Sequence, residues 1–97
     1  MRVRFFTHLR NLTGCAEADI PYEETAGALA RSLCDLYGDK LREKIFPSGT
    51  PAGGKGGDFP PEIIILINGR QANHMGGFSA PLKPDDRIDI FPMVAGG

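Results

Sequence analysis

Residues 86–97, DRIDIFPMVAGG, join a short strand pattern to a tail of small residues. The alternation of polar and apolar side chains from residue 87 to residue 91 predicts a strand with one buried face. Pro92 lacks the amide hydrogen that a strand ladder needs, so we expect the strand to end there. The sequence therefore predicts a final strand followed by a flexible C-terminal tail over residues 92–97.

The upstream segments supply the other elements of an α+β fold. Thr25 can cap a helix that Gly38 stops, and Asn68-Gly69 is a strong turn pair for a hairpin. We expect helices over 26–37 and 39–46, strands over 2–9, 16–22, 63–67, 70–73 and 87–91, and turns at 11–14 and 84–86. This order predicts a β-grasp, a mixed sheet of four to five strands with one main helix crossing one face. Its first and last strands should be adjacent and parallel.

The apolar residues of these elements predict the core. Those at strand spacing or at the spacing of a helical stripe are Met1, Val3, Phe5, Leu29, Leu33, Leu36, Tyr37, Ile88 and Ile90. Phe6 and Phe91 lie on the opposite parity of two neighbouring strands. Because the helix can cover only one face of the sheet, both rings should lie on the open face as part of an apolar patch for a partner. The alternative is that a loop residue, Phe59 or Phe78, folds over them.

Size and composition limit the classes of function. The chain of 97 residues predicts a single domain over residues 1–97, with a mobile loop at 47–61 that holds five glycines and four prolines. The formal charge is −1, and its eleven basic residues are scattered, so we expect protein partners and no nucleic acid. The longest apolar run, 63–67, is too short for a bilayer, and no signal peptide pattern opens the chain, which predicts a cytoplasmic protein without membrane attachment.

Three segments carry a family resemblance: residues 5–14, FFTHLRNLTG, residues 67–70, INGR, and the ending 81–97. They resemble the MoaD/ThiS family of ubiquitin-like sulfur carriers, most closely the MoaD type. The long loop at 47–61, and Pro84-Asp85 where Gly-Asp is more usual, depart from the family pattern.

The resemblance implies a carrier without catalytic side chains of its own. It would bind no cofactor, and a MoeB-like adenylating enzyme would use ATP to activate the carboxylate of Gly97. The resulting thiocarboxylate would donate sulfur. The closest resemblance is to the small subunit of molybdopterin synthase in molybdenum cofactor biosynthesis, for which a MoaE-like large subunit would be the acceptor.

A terminal glycine pair suits this chemistry. A carboxylate is a poor electrophile and must be activated, and the enzyme must exclude water from the adenylate, so the preceding residues must pass through a narrow channel. Gly96 and Gly97 have no Cβ and fit where larger residues would clash. We therefore expect Pro92, Met93, Val94, Ala95 and Gly96 to contact the partner and Gly97 to react.

Two other functions share this tail. The same adenylate can be attacked by an amine, which would make the chain a protein modifier that forms isopeptide bonds through Gly97. It could instead carry sulfur for thiamin, cysteine or transfer RNA thiolation. A frayed terminus of no importance is the remaining alternative.

Other candidate sites are weaker. The beginning of a phosphate-binding motif, G-x-x-x-x-G-K, is matched by Gly49, Gly54 and Lys55. The motif is incomplete, because Gly56 stands where Ser or Thr should hold magnesium. Two cysteines cannot hold an iron–sulfur cluster that needs four. Cys34 is expected to be a buried structural residue and Cys15 an exposed thiol. His8 and His74 lack neighbouring ligands, so we expect surface histidines and no metal site.

Overall fold

The structure is a computed structural model, and it describes residues 1–7, 9–45, 59–60 and 63–92. Its strands are β1 Arg2–Phe5, β2 Glu17–Asp19, β3 Ile63–Ile67, β4 Arg70–Gln71 and β5 Arg87–Pro92. Its helices are α1 Leu9–Thr13, α2 Ala26–Tyr37 and α3 Asp39–Ile45, and a 3₁₀ turn covers Ala72–Met75. The sheet order is β2-β1-β5-β3-β4, and only β1 and β5 are parallel neighbours. The predicted α+β, β-grasp fold is confirmed.

The centre of the sheet carries the core. Val3, Phe5, Ile88 and Ile90 are fully buried, as the strand parities predict, and they join one cluster with Leu33 of α2 and other buried residues. The first and last strands therefore have the adjacent, parallel arrangement that the order of elements predicts. Their opposite face is the one that α2 does not cover.

Helix α2 has the predicted bounds for the predicted reasons. Thr25 is extended, and its hydroxyl accepts a hydrogen bond from the Ala28 N–H at 3.2 Å. Gly38 ends the helix at φ 94°, a backbone conformation that favours glycine. Leu36, however, is 61% exposed. Successive helical residues are turned by about 100°, and Tyr37, whose ring meets that of Phe5 edge to face, takes the inward position instead.

The first strand is shorter than predicted. It ends at Phe5 because Thr7 turns the chain at φ 52°, and helix α1 begins at the fully buried Leu9. Residues 11–14, predicted as a turn, form the end of α1 and its stop at Gly14, which has φ 76°. Strand β2 likewise covers Glu17–Asp19 and not 16–22.

The strand after the Asn68-Gly69 turn is also short. Both turn residues have positive φ, as the predicted two-residue hairpin requires, but β4 ends at Gln71. The Asn73 side chain accepts from the Phe59 N–H at 2.8 Å and donates to the Phe59 carbonyl at 3.2 Å. That pairing replaces strand pairing at residues 72–73. Helix α3 covers Asp39–Ile45, and residue 46, where the predicted helix ends, lies outside the described residues.

The final strand is described to Pro92, one residue beyond the predicted 87–91; Pro92 is itself part of β5 and lies opposite Ile63. The Phe6 N–H donates to the Ile90 carbonyl at 3.1 Å, so even-numbered residues of β5 turn their polar backbone atoms toward β1. An amide hydrogen at position 92 would thus point toward the Phe6 carbonyl, which already accepts from the Leu9 N–H at 3.2 Å. The Phe6 carbonyl therefore keeps a hydrogen-bond partner although Pro92 has no amide hydrogen, and proline is tolerated there.

Candidate functional site

The face of the sheet that α2 leaves uncovered is called the open face below. Side-chain alternation and strand register place six residues on it in two rows. One row is Phe6, Phe91 and Ile64, and the other is Arg4, Asp89 and Leu66. The first row is entirely apolar and lies at the end of β5 from which the tail leaves.

The rings of Phe6 and Phe91 stack, with centroids 4.2 Å apart and planes 16° apart. Both residues are half-buried, and Ile64 lies directly opposite Phe91 in the β3–β5 ladder. The structure thus brings together the two rings that strand parity predicts to be neighbours. Their contact with a partner remains a prediction.

The loop phenylalanines that could have covered these rings lie elsewhere. Phe59 and Phe78 are buried and meet edge to face, with centroids 4.6 Å apart. The Phe78 carbonyl accepts a hydrogen bond from the Gly27 N–H of α2 at 2.8 Å. Both loop rings therefore belong to the core on the helix side of the sheet and do not fold over Phe6 and Phe91.

Beside the stacked rings lies an ion cluster that the sequence analysis missed. Asp89 is only 5% exposed, although its side chain is on the open face. Its carboxylate accepts from Arg4 Nε at 2.8 Å and from the second guanidinium nitrogen at 3.3 Å, and Arg87 Nε lies at 3.7 Å. The hydrogen bond to Asp89, together with its charge, raises the pKa of Arg4. The buried carboxylate is therefore compensated by two cations.

Arg4 connects this cluster to the rings, because its guanidinium carbon lies 5.3 Å from the centroid of the Phe6 ring. The bidentate bond to Asp89 holds the guanidinium in place above the ring. The sequence does contain a signal for this arrangement. Arg4 and Phe6 share one parity, and Asp89 and Phe91 share the equivalent parity of the parallel neighbour.

The tail begins at this apolar row. Pro92, the last residue of β5, is half-buried, and residues 93–97 lie outside the described part of the chain. The predicted roles of Met93 to Gly97 therefore stay predictions. The open face offers rings, aliphatic side chains and paired ions, which suit docking to another protein.

Within the described residues, neither the two cysteines nor His74 belongs to a candidate site. Cys34 is buried, and burial raises the pKa of its thiol to about 11, as suits a structural residue. Cys15 is half-buried and not exposed as expected, with its sulfur 3.6 Å from the Tyr37 hydroxyl. His74 is exposed, as expected. His8 and the loop with Gly49, Gly54, Lys55 and Gly56 lie outside the described residues.

The described residues contain neither a grouping of metal-ligating side chains nor a membrane-spanning helix. No group of three or more His, Cys, Asp or Glu side chains is placed to hold a metal ion in that part of the chain. None of the helices described there has the length and apolar character to cross a membrane.

Comparisons with known proteins identify the family of this chain and support its fold. The model of the ThiS family matches residues 3–97. Small archaeal modifier protein 3 of Haloferax volcanii is 29% identical over 99 residues, which span 100% of this chain and 98% of that protein. A candidate sulfur carrier protein of Archaeoglobus fulgidus is 32% identical over 73 residues, 75% of this chain and 74% of that protein.

A solved structure has the same architecture over nearly the whole chain. The solution structure of small archaeal modifier protein 1 from Methanosarcina acetivorans is 34% identical and superposes with a TM-score of 0.78. The superposition covers 99% of this chain and 94% of that chain.

Proposed function

This chain belongs to the ThiS family of ubiquitin-like sulfur carriers and modifiers, and on that premise we propose that it carries sulfur on the carboxylate of Gly97. Members of this family are small carrier or modifier proteins. In the proposed role the chain supplies a docking face and a reactive terminus, and its partner supplies the catalysis.

The observation that carries the proposal is the position of the stacked Phe6–Phe91 pair at the end of β5. A partner that docks on these rings meets the tail where it leaves the sheet. If extended, residues 93–97 would reach roughly 17 Å, enough to enter an active site while the folded domain remains outside. Glycine at positions 96 and 97 would allow passage through a narrow channel.

The chemistry follows from the carboxylate. An oxygen of Gly97 attacks the α-phosphorus of ATP and displaces pyrophosphate, which gives an acyl-adenylate on a partner of the MoeB type. The terminal sulfur of a persulfide then displaces AMP and forms an acyl disulfide. A further thiol cleaves the sulfur–sulfur bond and releases the thiocarboxylate. None of these steps needs a side chain of this chain as acid or base.

The acceptor in this proposal is a MoaE-like subunit of molybdopterin synthase, which would take sulfur for the molybdenum cofactor. Carriers for thiamin, cysteine or transfer RNA thiolation would use the same terminus. The activating enzyme uses ATP, and the chain itself binds no cofactor in any of these routes.

A second function, protein modification, is favoured by the relatives. Two of the proteins compared above are named small archaeal modifier proteins. In this function a lysine amine of a target attacks the adenylate or a derived thioester and forms an isopeptide bond with Gly97. The two functions differ in the nucleophile that reaches the activated carbon, and one chain can perform both.

The test incubates the chain with ATP, a MoeB-type enzyme, a persulfide donor and a reducing thiol, followed by intact-mass measurement. We expect one oxygen-to-sulfur exchange, located at Gly97 by fragmentation. The exchange should also occur in a Cys15→Ser, Cys34→Ala double variant. Replacing the persulfide donor with a lysine-containing target tests the modifier function through an isopeptide-linked product.

Matched tail variants make this test decisive. Deletion of Gly97 should abolish the exchange with little change in unfolding free energy, because a terminal residue contributes little to folding. Gly96→Val keeps the carboxylate but should slow adenylation strongly. Sulfur on Cys15 or Cys34 with Gly97 unmodified would contradict the proposal.

A further inference from the structure

A groove on the opposite side of the domain from β4 lies between the outer edge of β2 and helix α2. Ile20 and Pro21, which follow β2, form one wall, and Ser32, Asp35 and Leu36 form the other. The groove encloses about 310 Å³. Ser32, Asp35 and Leu36 are at helical spacing, so the second wall is a single face of α2.

The helix wall of this groove consists of two polar residues, Ser32 and Asp35, and one exposed apolar residue, Leu36. Leu36 is 61% exposed, the most exposed large hydrophobic side chain among the described residues, and the other notable one, Tyr22, follows Pro21. Nothing in the function proposed for Gly97 uses this face of α2. An exposed leucine beside an open groove suits contact with another chain.

The other wall of the groove, Ile20 and Pro21, continues from a strand whose outer edge no described strand covers. Strand β2 is the terminal strand of the sheet. The Phe5 N–H donates to the Ala16 carbonyl and the Ile20 N–H donates to the Met1 carbonyl, so residues 16 and 20 turn their polar backbone atoms toward β1. By alternation Glu17 and Asp19 turn theirs outward, where no described strand pairs with them. Such an edge can accept an added strand.

This part of the molecule is acidic although the whole chain is nearly neutral. Residues 16–39, which include β2 and α2, contain six acidic side chains and one basic side chain, Arg31. Glu17 and Asp19 lie at this edge; among the described residues, Glu17 forms an ion pair with the exposed Arg2 and Asp19 with the N-terminal amine. Pairs of this kind are worth little and can be exchanged for others.

We propose that the groove between β2 and α2 binds an extended segment of a partner protein in which apolar and basic side chains alternate. The segment adds a strand to β2 through the backbone of Glu17 and Asp19. Its side chains then alternate between the two faces of the sheet. The apolar ones enter the groove against Ile20 and Leu36, and the basic ones lie beside the Glu17 and Asp19 carboxylates.

The probe is a short, end-blocked peptide of alternating valine and lysine, titrated into the nitrogen-15-labelled full chain. We expect amide shifts centred on residues 17–20 and 32–36, and slower hydrogen exchange of the Glu17 and Asp19 amides. Affinity should fall as salt is added. A valine–glutamate peptide and a peptide with the same valines and lysines in two blocks should bind at least about tenfold more weakly.

Variants connect binding to the groove. Leu36→Asp changes an exposed position, so the fold should survive, and it should weaken peptide binding at least about tenfold. The double change Glu17→Gln, Asp19→Asn should weaken binding several-fold and remove most of its salt dependence. Phe91→Ala, on the open face, is the matched control and should leave peptide affinity unchanged.

Four results would overturn the inference: no binding at millimolar peptide, shifts centred on Phe6 and Phe91, unprotected Glu17 and Asp19 amides, or full affinity in Leu36→Asp. None of these results bears on the transfer of sulfur to Gly97, because the groove lies beside the outer strand β2, whereas the described chain ends at Pro92 of the central strand β5. The two proposals can therefore fail separately.

Discussion

The rings of Phe6 and Phe91 lie 4.2 Å apart and nearly parallel, although the two residues come from opposite ends of the chain. They meet because β1 and β5 are parallel neighbours in register, so residues at the ends of both strands are adjacent. Formation of the apolar row therefore requires the complete sheet. A partner that docks on this row would therefore bind the folded domain and not an unfolded chain that carries the same tail.

Phe91→Ala should raise the KM of the activating enzyme for this chain by about tenfold with kcat nearly unchanged, because the ring contributes to docking and not to chemistry. The measurement is the rate of ATP-dependent adenylation against carrier concentration. Tyr22→Ala removes a comparable exposed ring away from the open face and should leave KM within about twofold. An unchanged KM for Phe91→Ala would show that the partner docks elsewhere.

Arg4→Ala should lower the unfolding free energy, because it leaves the buried Asp89 carboxylate with only the more distant Arg87. The double change Arg4→Met, Asp89→Leu removes both charges and should recover most of that loss. Urea denaturation at neutral pH measures both. If the double variant is no more stable than Arg4→Ala, the unpaired Asp89 carboxylate is not the cause of the lost stability.

Gly27→Ala should destabilise the domain by about 1–3 kcal/mol, because an added Cβ would meet the Phe78 carbonyl oxygen at 2.9 Å and the Phe78 Cβ at 3.0 Å. Helix propensity alone predicts the opposite sign, a gain of about 1 kcal/mol. Thermal denaturation distinguishes the two. A higher melting temperature would show that the backbone near Phe78 yields easily.

Stability should fall in alkali, because burial raises the pKa of two side chains, Cys34 and Tyr37. Burial raises the pKa of Cys34 from 9.0 to about 11 and, with a smaller contribution from Cys15, the pKa of Tyr37 from 10.0 to about 12. Both groups are neutral when protonated, so the folded state favours protonation. The stability they contribute is complete below about pH 9 and is lost as the pH rises through 11 and 12.

Two variants separate these contributions. Cys34→Ala should remove the part of the decline in unfolding free energy that falls between pH 9 and 11. Tyr37→Phe should remove the part between pH 10 and 12. The measurement is the free energy of unfolding in urea from pH 7 to pH 12. Identical pH profiles for the parent and Cys34→Ala would contradict the assignment to the buried thiol.

Local sequence was enough to predict several elements. Thr25 and Gly38 bound α2 because a hydroxyl cap and a left-handed glycine act within one turn of the helix. Asn68-Gly69 predicts its hairpin because both residues tolerate positive φ. The parity of Phe6 and Phe91 predicts their side of the sheet, although it could not show that their rings stack.

The sequence by itself therefore determined the β-grasp order of elements, the bounds of α2, the family pattern of the tail and the candidate docking rings. Each of these depends on neighbouring residues, which set capping, turn geometry and alternation. Only the tertiary structure decided that Pro92 continues β5, that Asp89 is buried beneath Arg4, and that Leu36 is exposed. Each of those depends on groups far away in sequence: the occupied Phe6 carbonyl, a guanidinium on the parallel strand, and the Phe5 ring that draws Tyr37 inward.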